Sequence, residues 1–199
     1  VNLAISLQQH GKRVLILDAD VGMSNAHLLM GVNTKYSLID LITDNLDLRE
    51  IIVKGPAGVD LISGGKDMFL LEKLSKDKQE EIIDSLASLN EYDVLLIDNG
   101  AGITKQSLTF TILADEVLLI TTPEPTALTD AYRVLKIVSV YEIKNKVKVA
   151  VNQVPNKEMG EEAFNKLLKT TENFLNIKLE KLGYIFSDIR VGKAVMQQV

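Results

Sequence analysis

The sequence predicts an α/β protein: a mostly parallel β-sheet with helices on both faces. Three observations predict it. Short apolar runs recur without the polar alternation of a half-solvated strand, so they read as strands buried on both faces. Segments of helical spacing separate them, giving strand, helix, strand over most of the chain. Glycines mark the turns, at Gly55 and Gly58, Gly64 and Gly65, and Gly100 and Gly102. Right-handed crossovers then put helices on both faces. No linker, low-complexity tract or internal repeat interrupts residues 1–199, which read as one domain.

In chain order, Val1 to His10 has apolar residues at 1, 3, 4, 5 and 7, then Gly11, Lys12 and Arg13, which reads as the end of a helix with a glycine stop. Strands are expected at Val14–Leu17, Val59–Ile62, Val94–Ile97, Val117–Ile120, Val147–Val151 and Leu182–Phe186. Helical patterns lie at Ser37–Thr43, Met68–Leu74, Lys78–Leu89, Lys105–Leu113, Ala127–Tyr141, Glu158–Leu175 and Val191–Gln198. His10 and His27 are far apart and have no metal-ligand pattern; both read as surface or capping residues.

Composition removes several classes of function. The chain has no cysteine, which rules out disulfides and thiolate metal sites within it. A net charge of −5 argues against a nucleic-acid-binding domain, and the absence of Trp argues against base-stacking platforms. No apolar run reaches the ~18 residues of a membrane span and no signal peptide is evident, so the expected compartment is the cytoplasm. Gly-x-Ser-x-Gly, HExxH and Cys–His patterns are missing, which removes the usual hydrolase and metalloprotease readings.

Four stretches carry chemistry. In RVLILDADVGMSN a buried strand ends at Asp18, and a second carboxylate, Asp20, follows two residues later. Ligands of parallel sheets sit at the carboxyl ends of strands. Two carboxylates there suit Mg²⁺ and its waters, since a hard cation prefers oxygen. The plainer alternative is that one of them caps the next helix. In YDVLLIDNGAG, Asp98 ends a second such strand and could hold a Mg²⁺-bound water beside nucleotide phosphates. Gly100 and Gly102 would let the backbone approach a ligand or move with it. In LITTPEP, Pro123 and Pro125 fix an extended loop and a helix start, and Glu124 suits the helix macrodipole. In VAVNQVP, Asn152 is expected where a strand ends, with a donor and an acceptor that match the edge of adenine; a turn-forming role is the alternative.

LILDADVGMSNAHLLMGV, VLLIDNGAGI, ITTPEPTALTDAY and the VNQV turn, in this order and at these intervals, resemble the MinD/ParA superfamily of P-loop ATPases with a deviant Walker A motif. The flagellar-number regulator branch, FlhG, is most similar, and MinD is next. The resemblance covers essentially the whole chain. It implies a P-loop NTPase-like fold and an ATP- and Mg²⁺-dependent switch that forms a homodimer with ATP. Asp20 matches the residue that positions the water attacking the γ-phosphate, and Asp18 lies near the Mg²⁺ and phosphates. Asp98 matches the Walker B aspartate, and Gly100 to Ile103 match switch II. Asn152 matches the adenine-reading asparagine, with Ser187 and Asp188 in the loop beside the base. Asn99 departs from the Thr or Ser-Pro more often found after that aspartate.

The resemblance also implies spatial regulation of flagellar placement and number, through a partner GTPase and a membrane surface reached by a C-terminal helix. That would make the protein peripheral at the inner face of the cell membrane. A MinD-type division-site role is the alternative, and a ParA-type DNA partitioner is disfavoured by charge. The family's first strand and its phosphate-binding loop, similar to KGGVGKT, have no counterpart here, and Gly64-Gly65-Lys66 reads as a turn. The expectation is therefore a chain trimmed at both ends and inactive alone; a naturally short chain would instead be a non-hydrolysing interaction module.

Overall fold

The computed structural model describes residues 1–20, 25–65, 68–100, 104–141, 146–175 and 177–197. The chain divides into two compact units. The first comprises Val1–Ala101, Lys105–Ser107 and Val195–Val199; the second comprises Gly102–Thr104 and Leu108–Ala194.

The first unit holds a four-stranded sheet built from β1 (Val14–Asp18), β2 (Val53–Lys54), β3 (Asp60–Ser63) and β4 (Val94–Asp98), in the order β2-β3-β1-β4. β1 runs parallel to both β3 and β4, and β2 pairs antiparallel with β3. Every residue of β1 and β3 is buried, as strands inside a largely parallel sheet require; in β3 this includes Asp60, which Lys54 and Tyr92 hold by hydrogen bonds. β4 reads the same way in sequence yet leaves Leu95 at the surface, because β4 is the edge strand of its sheet. One face of β1 packs Val14 and Ile16 against Ala4 of α1 (Asn2–Gln9), Ala26 and Met30 from α2 (Ala26–Leu29), and Val59 and Leu61. Gly11 ends α1 at φ +80, a conformation that a side chain resists. His10 joins that stop: its Nδ1 lies 2.8 Å from the Ser6 carbonyl oxygen.

Three short elements escaped the sequence pattern: β2, α2 and α4 (Leu48–Ile51). Each spans about one period of its pattern, too short for the periodicity to repeat. The helix expected from Ser37 shrinks to α3 (Asp40–Thr43), because the Ser37 N–H and hydroxyl both donate to the Asp40 carboxylate and hold the chain in a turn. The Met68–Leu74 helix is a 3₁₀ segment, Met68–Lys73. α5 (Lys76–Ala87) starts under a Ser75 cap, and α6 (Lys105–Leu113) matches its expected bounds.

The second unit holds β5 (Glu116–Thr121), β6 (Lys146–Val154) and β7 (Leu179–Phe186), all parallel, in the order β5-β6-β7. α7 (Pro125–Val140) carries Pro125 in its first turn, where the missing N–H has no helical partner to lose. α8 (Lys157–Phe174) is capped by Asn156, whose side chain accepts the Met159 N–H at 2.9 Å. Leu135 and Val138 of α7 and Phe164 and Leu167 of α8 form one buried cluster with Val149 and Val151 of β6. α9 (Ile189–Gln197) follows β7. No helix among the described residues is long and apolar enough to cross a membrane.

Candidate functional site

The first unit gathers its acidic residues at one strand edge. Asp18 and Asp98 are register partners at the carboxyl ends of β1 and β4. The ladder runs one residue further, with the Ala19 N–H donating to the Asp98 carbonyl at 2.9 Å. Asp18 is buried, at 2% exposure. Its Oδ1 accepts the Asp20 N–H at 3.3 Å and its Oδ2 accepts the Ala26 N–H at 2.9 Å. One carboxylate thus ties the turn after β1 to the first residue of α2, the capping role that sequence left open for one of the two aspartates. Asp20 is half-buried, and its carboxylate lies against Gly100: a Cβ on that glycine would stand 2.2 Å from Asp20 Oδ1. The loops after β1 and β4 therefore meet through Asp20 and Gly100.

This crowding of negative charge has a measurable result. Asp98 is exposed where β4 ends, yet partial loss of surrounding water, then the charge of Asp18, and more weakly that of Asp20, hold its carboxyl above the ordinary aspartate range. A carboxyl that binds its proton more tightly when folded subtracts stability while ionised, and the deficit fades as pH falls through its raised pKa. Asp98→Asn is accordingly expected to melt higher than the wild type at pH 7 without nucleotide. The gap should narrow as pH is lowered toward the acid range, as read by thermal denaturation of both proteins over a pH series. A lower melting point for Asp98→Asn would contradict the electrostatics.

The same features fit a cation. Two carboxylates side by side at adjacent strand ends are relieved by a positive charge. Among the described residues no group of three or more His, Asp or Glu side chains is arranged to hold a metal. An ion such as Mg²⁺ keeps several waters and takes one or two carboxylates plus phosphate oxygens, and Asp18 and Asp98 are the pair that could face it. Two buried side-chain oxygens lack a hydrogen-bond partner among the described residues: Asn99 Oδ1, next to Asp98, and Thr122 Oγ1, one residue past β5. Such orphans cost about 1–3 kcal/mol each unless a ligand or water satisfies them.

The remaining predicted positions lie in the second unit. Pro123 is half-buried after β5, and Glu124 is exposed at the N-cap of α7 without a side-chain capping bond, so only the macrodipole reading has a visible basis. Asn152 does not end its strand. β6 continues to Val154, and Asn152 and Gln153 fall between Val151 and Val154, which pair with Tyr184 and Phe186 of β7, where the ladder slips. Asn152 Oδ1 accepts the Gln153 N–H at 2.9 Å, and Gln153 adopts φ +54. The asparagine thus serves the turn that breaks the ladder, with its amide group held in a fixed orientation. Ser187 follows β7 and its N–H donates to the Val154 carbonyl at 2.9 Å. Asp188 accepts the Arg190 N–H at 2.8 Å and its guanidinium, which holds the carboxyl below the ordinary range. Gly102 lies outside the described residues, as do Gly22, Ala101 and Ile103.

Sequence reasoning gave no role to Thr122 and noted Asn99 only as a departure from the family pattern; His27, expected at the surface or in a cap, is half-buried with Nδ1 unpartnered among the described residues. A groove in the first unit, lined by Leu41, Ile42, Leu46, Ile82 and Leu89, includes none of the predicted site residues.

The chain is similar to known proteins over its whole length. Residues 1–152 match the AAA domain family AAA_31. The chain is 35% identical over 199 residues to the antiactivator FleN of Pseudomonas aeruginosa, covering 100% of this chain and 71% of that one. It is 32% identical over 186 residues to the flagellum site-determining protein YlxH of Helicobacter pylori, covering 92% of this chain and 63% of that one. Among solved structures, the septum site-determining protein MinD of Pyrococcus horikoshii, complexed with Mg-ADP, superposes with a TM-score of 0.76 at 24% identity, covering 100% of this chain and 78% of that one.

Proposed function

From the premise that this chain belongs to the MinD/ParA-type P-loop ATPases, close to the flagellar FlhG branch, we propose that it is the switching part of an ATPase that sets flagellar placement and number. The observation that carries the reading is the pairing of Asp18 and Asp98 at adjacent strand ends, with Asp20 bridging to Gly100. It is supported by the flagellar names of the two relatives at 35% and 32% identity.

In this reading each residue has one task. Asp98 holds a water of the metal, and Asp20 orients the water that attacks the terminal phosphate. Asp18 fastens the Asp20 turn through the two amides it accepts. Gly100 and Gly102 belong to the loop that responds to the terminal phosphate. In the second unit Asn152 offers adenine a donor and an acceptor, while Pro123, Glu124, Ser187 and Asp188 belong to the neighbouring loops. When bound, Mg²⁺ would neutralise charge developing on the phosphate oxygens. The protein's own contribution is then positioning and charge placement rather than covalent chemistry.

ATP is proposed to order these loops and create a face for a homodimer, and hydrolysis to release it, an order–disorder switch driven by one phosphate. A partner GTPase and the membrane surface would read the dimer. The test uses the complete reading frame. Light scattering should show a dimer with Mg²⁺ and ATP, and a monomer with ADP or after chelation. A mass that stays the same with ATP would sink the switch.

A further inference from the structure

We propose that Gly100 is a positioning residue for Asp20, needed for the space it leaves rather than for backbone freedom. The proposal rests on the role given above to Asp20. Gly100 is not among the described glycines with positive φ, so its backbone conformation is open to alanine. Space is what alanine lacks. A Cβ at position 100 would stand 2.2 Å from Asp20 Oδ1, 2.6 Å from Cγ and 3.1 Å from Oδ2, the nearest atoms among the described residues apart from its own chain neighbours.

The chain around Asp20 cannot retreat as a body. The Ala19 N–H is bonded to the Asp98 carbonyl, and the Asp20 N–H to Asp18 Oδ1. The atoms a Cβ at position 100 would meet are the far end of the Asp20 side chain, which can rotate where its anchored backbone resists, so a methyl group there turns the carboxylate out of its seat and leaves the fold in place. Gly64 shows the opposite case: its Cβ would meet the Asp18 carbonyl oxygen at 2.5 Å, a backbone atom that cannot rotate aside. The glycine of the second loop thus sets where the carboxylate of the first one points. A shift of about 1 Å in a group that positions an attacking water lowers turnover by roughly 10²-fold.

The experiment is a double-mutant cycle in the complete protein with Gly100→Ala, Asp20→Ala and both together, read in two ways. Without nucleotide, Gly100→Ala should lower the melting temperature when Asp20 is present and raise it in the Asp20→Ala background, where the seat is vacant and loss of glycine freedom helps the folded state. With Mg²⁺ and ATP, Gly100→Ala should lower kcat by roughly 10²-fold at unchanged KM, and the double variant should be no slower than Asp20→Ala alone. Gly192→Ala, inside α9 with open space around it, should leave turnover unchanged and raise the melting temperature slightly, as a helical glycine-to-alanine change does. Equal melting shifts in both backgrounds, or independent multiplication of the two kcat losses, would overturn the seat. Unchanged turnover in Asp20→Ala together with a melting shift that reverses sign would remove the catalytic reading of Asp20 and leave the seat standing.

Discussion

Asp20→Ala in the complete protein is expected to bind ATP about as well as the wild type and to hydrolyse it at least about 10²-fold more slowly, the range for loss of one group acting on the reacting atoms. Binding should survive because the neighbouring interactions are independent of this side chain: Asp18 still accepts the backbone amides at positions 20 and 26, and Asp98 keeps its place in register. Hydrolysis should fail because alanine can no longer orient a water. Isothermal titration with ATP and a phosphate-release assay separate the two effects. A loss confined to kcat marks an interaction made in the transition state, and a raised KM at unchanged kcat would place Asp20 in ground-state binding instead. Normal turnover would refute the assigned role. The dimer should accumulate in this variant, because ATP is held and not consumed.

The two aspartates of the DAD motif show how far sequence carries. As letters they are equivalent strand-end carboxylates, and both could be assigned to metal. The structure separates them by burial and by what they accept. Asp18 is buried with its oxygens on two amides, and Asp20 is half-buried with its carboxylate against a glycine 80 positions away. No local pattern encodes such a long-range contact.

The strands were legible for the converse reason. An unbroken apolar run has few ways to be satisfied other than burial between two neighbours, and Val14 to Leu17 of β1 follow it. The apolar run of β4 was equally plain, yet its burial depends on whether a neighbour exists on its far side, which only topology decides. The α4 turn was readable after all: Asp47 and Glu50 form a capping box, in which each side chain accepts a backbone N–H of the other's region. Asn152 was misplaced at a strand end because the left-handed Gln153 that breaks the ladder is not a glycine and gives no turn signal in the letters.

Leu17→Ala should have the largest effect on stability, a loss of about 2–5 kcal/mol, which is a large share of the ~5–15 kcal/mol that separates folded from unfolded domains. Leu17 is 0% exposed on the central part of its sheet, in register with Ile62 of β3 and Ile97 of β4. Strands paired on both sides leave little room to collapse around a deleted side chain, so most of the cavity persists. Urea denaturation should show a lower midpoint at an unchanged slope, while Leu28→Ala, at a residue 52% exposed, should stay close to the wild type. The consequence reaches the site, since Asp18 follows directly and depends on this strand for its place. Activity lost in Leu17→Ala should therefore return on moderate cooling, as the folded fraction recovers, whereas the defect of Asp20→Ala should persist at every temperature. If Leu17→Ala remained slow when fully folded, the core of β1 would be setting the geometry of its acidic end as well as its stability.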